Sequence, residues 1–147
     1  MLEALSTHRN RTLTFTFLAI CCASATAAVV VGIDDNLPGL LLAFGAATAL
    51  VLAFVHPWRT VKQFRGLLYA SVISLPLLAI LHNVFEAIAS KSASAGVLQS
   101  LLEGLGVAAF VLVTLICPPA VLVGAVGSVV MFIRNRRRPT QGHDTVA

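Results

Sequence analysis

The chain has 147 residues, 58% of them hydrophobic and 11% charged, with a formal net charge of +4 and a mean hydropathy of +0.92. A soluble domain carries about 25% charged residues, so this chain lacks the charges needed to cover a water-facing surface. Nucleic acid is excluded as a partner, because the basic residues sit in short runs beside apolar segments and form no interleaved basic and aromatic stripe.

The apolar stretches are continuous rather than alternating, which predicts membrane-spanning helices rather than barrel strands. A hydrocarbon core about 30 Å thick takes about 20 residues of helix. The first stretch, residues 13–33, contains no charge. Asp34-Asp35-Asn36 closes it, and Leu37-Pro38-Gly39 opens the second, residues 37–55. Pro38 suits a first helical turn, where its missing N–H has no partner to lose, and Asp35 or Asn36 can cap that turn. So short a loop forces the two helices to be antiparallel neighbours.

His56-Pro57-Trp58-Arg59 reads as a helix stop with an interfacial anchor. Beyond it, Trp58, Val61 and Phe64 interleave with Arg59, Lys62 and Arg65, a short amphipathic piece suited to the membrane interface. The third span is residues 67–89, with Pro76 inside it, and residues 90–100 form a polar connection. The last stretch, residues 105–133, is too long for one straight span at about 1.5 Å per residue. Cys117-Pro118-Pro119 falls near its middle. The expected fold is all-α, a four-helix transmembrane bundle with kinked third and fourth helices, flanked by tails at residues 1–12 and 134–147.

Charge sets the expected orientation. Arg9 and Arg11 precede the first span, Arg59, Lys62 and Arg65 link the second and third, and Arg134, Arg136, Arg137 and Arg138 follow the fourth. Only Lys91 lies on the other side. The positive-inside rule then puts both termini in the cytoplasm of a cell (inner or plasma) membrane protein. A hairpin at Pro118 would break that rule. A cleaved signal peptide is the rival reading of the first stretch, but the apolar run continues through Val29, Val30 and Val31, longer than a signal core. Asn10-Arg11-Thr12 matches a glycosylation sequon on the wrong side for use.

Several phrases have a family look: Asp34-Asp35-Asn36-Leu37-Pro38-Gly39, Phe54-Val55-His56-Pro57-Trp58-Arg59, Leu81-His82-Asn83-Val84-Phe85, and Cys117-Pro118-Pro119 leading to Val129-Val130-Met131-Phe132. Together they resemble a group of small prokaryotic four-span membrane proteins without a known activity. The resemblance covers about residues 32–133. It implies a fold and a membrane location, and it brings no catalytic residue, substrate or cofactor.

The acids carry what chemistry the sequence offers. Asp34, Asp35, Glu86 and Glu103 all fall at the outer ends of spans. His82 and Glu86, four apart, share a helix face, and Asn83 lies close to it. An imidazole and a carboxylate suit a divalent transition metal or a proton, so His82 and Glu86 are candidate metal ligands, with Asp34, Asp35, Asn83 and Glu103 as a polar cluster around them. The plainer reading pairs His82 with Glu86 near water and makes residues 34–36 a turn and cap. Cys21, Cys22 and Cys117 lie in apolar stretches without metal or redox spacing and read as small hydrophobes.

Arg134, Arg136, Arg137 and Arg138 can attract anionic lipid, at about 1 kcal/mol per basic residue. Small residues at Ala23 and Ala27, at Gly45 and Ala49, and at Ala120, Gly124 and Ser128 allow close helix approach, within the chain, in a homo-oligomer or with a protein partner. No nucleophile elbow, phosphate loop, zinc-protease or dinucleotide motif occurs, and no cofactor is implied. The sequence thus points first to a non-enzymatic accessory or interaction subunit. An oligomeric channel or transporter with a cation or proton site at the outer face is the alternative.

Overall fold

The computed structural model describes residues 8–33, 36–91 and 96–137. Four helices account for nearly all of them: α1 (His8–Val31), α2 (Leu37–Val55), α3 (Val61–Lys91) and α4 (Gly96–Arg136). All four are long and apolar enough to cross a membrane. No strand occurs among the described residues.

The turn between α1 and α2 is tied by one side chain. The Asn36 Nδ2 donates to the Val31 carbonyl at 2.7 Å, while its Oδ1 accepts from the Gly39 N–H at 2.6 Å. A single amide thus satisfies the end of one helix and the start of the next. Gly32 takes φ +90°, a conformation that costs a side chain but not glycine. Gly39 packs so closely on the Gly32 carbonyl that a Cβ there would collide with it.

Thr60 and Gln63 open α3 as a capping box. The Gln63 Oε1 accepts from the backbone N–H groups of Arg59 and Thr60, both at 3.2 Å, and the Gln63 N–H reaches the Thr60 Oγ1 at 3.4 Å. The amphipathic piece after Trp58 is therefore the first turns of α3 itself, continuous with the span. The polar connection is likewise helical at both ends, as far as Lys91 and again from Gly96. The proline positions fall where expected. Pro76 stands inside α3, and the prolines of α4 follow a π-helical turn at Leu112–Ile116. There the Cys117 N–H donates five residues back to the Leu112 carbonyl. Pro118 has no N–H to give and its ring crowds the preceding turn, so the helix widens just before it.

The helices form a row in the order α1, α2, α4, α3. No Cα of α1 lies within 8 Å of α3 or α4, and none of α2 lies within that distance of α3. Burial follows the row. In their most apolar windows 39% of α2 and 28% of α4 are buried, against 6% of α1 and 11% of α3, so α2 and α4 are the inner pair. The core is built of small side chains: nine of its twelve buried apolar residues are alanine, among them Ala43, Ala46, Ala47 and Ala53 on α2. Large aliphatic groups such as Ile73, Leu77, Ile80, Leu122 and Val126 point outward. That inversion suits lipid, where apolar side chains need no shelter and close helix approach supplies the packing.

The small residues divide accordingly. Gly124 meets the Leu68 backbone, where an added Cβ would lie 2.9 Å from the amide nitrogen, and Gly127 receives the Phe64 ring. Ala49 and Ala120 are buried. Ala23 is exposed on α1, and Gly45 faces open space.

Candidate functional site

The antiparallel packing collects the described charges at two ends. Arg9 and Arg11 on α1, Arg59, Lys62 and Arg65 around the start of α3, and Arg134, Arg136 and Arg137 at the end of α4 make a basic end. Glu86, Lys91 and Glu103 lie at the other, the acidic end.

At the acidic end the first half of α4, Gly96–Val111, approaches α3 alone and leaves a cleft of about 280 Å³. His82, Glu86, Ser90, Glu103 and Gly106 line it. The His82 Nδ1 lies 2.9 Å from the Gly106 carbonyl oxygen. A carbonyl only accepts, so Nδ1 carries the hydrogen and donates, and this bond ties α3 to α4. The ring packs against Phe110 at 5.2 Å between centroids. The His82 Nε2 is left facing the Glu86 Oε2 at 3.6 Å, too far for a hydrogen bond but close enough for one cation to touch both. A backbone carbonyl holding Nδ1–H is also how proteins orient an imidazole that binds a metal through Nε2.

Of the six residues named from sequence, three meet in this cleft: His82, Glu86 and Glu103. Glu103 is engaged by its own helix, accepting from the Gln99 Nε2 at 3.0 Å. Asn83 does not join them, because its Nδ2 donates back to the Ala79 carbonyl at 2.7 Å. Asp34 and Asp35 lie outside the described residues. Among the described residues no three His, Cys, Asp or Glu side chains come together as a metal-binding group, so this face supplies two ligands in contact rather than a coordination sphere.

The basic end holds a second cleft, about 380 Å³, lined by Arg59, Met131, Arg134 and Asn135. Arg136 is turned elsewhere, its guanidinium 4.7 Å from the centre of the Phe132 ring. Arg137 is exposed, and Arg138 lies outside the described residues. The pairing of Arg59 with Arg134 escapes sequence reading, since no local pattern joins a residue of the α2–α3 link to one in the last turn of α4. Nearby, the His56 Nδ1 reaches the Ala53 carbonyl at 3.1 Å, while the His56 Nε2 and the Trp58 Nε1 are buried without a hydrogen-bond partner. The indole ring itself packs edge-on against Phe64 at 5.5 Å.

Helix α1 contributes a surface of another kind. Thr14, Phe17, Cys21, Ser24 and Ala28 make up its more buried face, toward α2. The Thr14 hydroxyl comes 3.5 Å from the Ala53 carbonyl there, and Phe17 meets the His56 ring at 6.0 Å. The opposite face carries Thr12, Thr16, Ala19, Ala23 and Thr26, all exposed and spaced by alternate fours and threes. The Thr16 and Thr26 hydroxyls bond to the carbonyls four residues back, at 2.9 Å each.

Fold and composition make this chain a multi-pass membrane protein of four helices. Beyond that class the comparisons are silent: no protein-family model, curated protein or solved structure matches it.

Proposed function

We propose that the chain is a non-enzymatic accessory or interaction subunit of a cell membrane, with both termini cytoplasmic, and that α1 is the helix through which it meets another membrane helix. One observation carries this reading. On the side away from its neighbour α2, helix α1 turns out a seam of Thr12, Thr16, Ala19, Ala23 and Thr26 that ends at Val30, with Phe15 and Ile20 exposed on its flanks. Short side chains at that spacing admit a second helix backbone to close range, and a face meant only for lipid has no need of them. What supports the orientation is the basic end, which carries every described Lys and Arg except Lys91, the side the positive-inside rule assigns to the cytoplasm.

A photo-crosslinking residue at Ala19 or Ala23, compared with one at Ile80 or Val84 on α3, tests the proposal in native membranes. Protein adducts are expected from the α1 positions and lipid adducts from α3. Their mass separates a second copy of this chain from a different subunit. Lipid adducts from all four positions would end the reading.

The acidic-end cleft supports a second reading, an oligomeric channel or transporter with a cation or proton site. It rests on the His82 Nε2 and Glu86 Oε2 facing each other at 3.6 Å beneath an open mouth. Reconstituted protein should then move protons or divalent cations across liposomes, and Glu86→Gln or His82→Ala should abolish the flux. Flux unaffected by either substitution would remove this reading.

A further inference from the structure

We infer that the cleft at the basic end binds the phosphate of an anionic phospholipid headgroup, held between Arg59 and Arg134 with Asn135 as a neutral donor. The cleft is built by two segments remote in sequence, the α2–α3 link and the last turn of α4. Its volume of about 380 Å³ falls in the range of small-molecule clefts, about 300–1,000 Å³.

Three features point to an anion. First, two arginines line one cleft, and the carboxylates among the described residues, Glu86 and Glu103, both stand at the opposite end. Like charges sharing a site repel, and an anion between them removes the repulsion. Second, both arginines have fixed starting points. The Arg59 N–H donates to the Gln63 Oε1 at 3.2 Å, which sets the link against the first turn of α3. Arg134 lies in the last helical turn of α4, two residues from Arg136, so the two side chains leave on different sides. Arg136 stacks on Phe132, and Arg134 is left to the cleft. Third, guanidinium forks match phosphate oxygens two at a time, and the Asn135 amide adds donors without charge.

The depth selects a lipid over a soluble phosphate. Arg134 directly follows the apolar run of Met131, Phe132 and Ile133, and Arg59 directly follows Trp58, an interfacial residue type. Both therefore sit where the hydrocarbon ends and phospholipid phosphates begin. Met131 continues the cleft wall into the apolar zone, where an acyl chain would lie.

The test is native mass spectrometry of the full detergent-purified chain with phosphatidylglycerol, phosphatidylcholine or inorganic phosphate added. Arg59→Gln/Arg134→Gln is compared with the charge-matched Arg136→Gln/Arg137→Gln, each checked for unchanged helicity and elution volume. One phosphatidylglycerol per chain should be retained in preference to phosphatidylcholine. Loss of both cleft arginines should weaken retention by about thirtyfold, and the charge-matched pair should change it far less. Equal weakening by both pairs would mean a diffuse charge effect and overturn the site. Displacement of the lipid by millimolar inorganic phosphate, or equal retention of phosphatidylcholine, would overturn the lipid assignment.

Discussion

Helices α1 and α3 flank the row on either side and both leave most of their surface uncovered, with exposed large apolar residues on each, yet only α1 adds a strip of small ones opposite its neighbour. The free face of α3 carries Tyr69, Ile73, Leu77, Ile80 and Val84, all large and all exposed. The free face of α1 carries a strip of threonines and alanines that runs up to Val30 and is flanked by exposed Phe15 and Ile20. Acyl chains fill the space around bulky aliphatic groups without loss, so the free face of α3 suits lipid. Small side chains on α1 leave backbone near the surface, where another helix can use it and lipid gains little. Exposure alone therefore says nothing about role in a bilayer; the size of what is exposed does.

The two helices also differ in how they are fastened. Helix α3 is locked to α4 along its length, by Gly124 against the Leu68 backbone, Phe64 over Gly127 and the bond from His82 to Gly106. Among the described residues, helix α1 packs on α2 and is tied to it by the Asn36 turn. The largest effect should come from breaking the first of these. Gly124→Leu drives a side chain into the Leu68 backbone and should cost about 3 kcal/mol, seen as an earlier midpoint in detergent-denaturant unfolding followed by helicity. A midpoint equal to wild type would mean that the α3–α4 contact is not tight.

Asn36→Ala removes both bonds of the α1–α2 turn and should cost about 1–2 kcal/mol in the same assay. Asn36→Asp should recover part of this, because the carboxylate still caps α2 but cannot donate to Val31. Smaller again is His82→Phe, which keeps an aromatic ring against Phe110 and loses the bond to Gly106. About 0.6 kcal/mol is typical of such interhelical bonds within membranes. Gly106→Ala makes a control at the same site. Its Cβ would lie 3.6 Å from that of Phe85, an ordinary contact, so stability should hardly move.

At the bottom of the scale in stability, but not in association, stands Ala19→Leu/Ala23→Leu. Both residues are exposed, so the unfolding midpoint should stay unchanged while protein crosslinking from a probe at Thr16 on the same face of α1 disappears. Ile80→Leu on α3 should change neither. A fall in stability with the α1 pair would show that the seam is used inside the fold and would erase the contrast between the two helices.

Local length, charge and turn chemistry make the four apolar helices, the antiparallel α1–α2 turn with its Asn36 cap, and the separation of basic from acidic ends legible in the sequence. The Thr60 and Gln63 capping box was legible in the same way, as a threonine followed three residues later by a glutamine, and it turns the amphipathic piece into the start of α3. Tertiary structure alone decided which helices lie inside the row, that His82 reaches Gly106, and that Arg59 shares a cleft with Arg134. In water the apolar face of a helix marks the core. In lipid both faces are apolar, so that signal vanishes and only the packing of small residues assigns inside from outside.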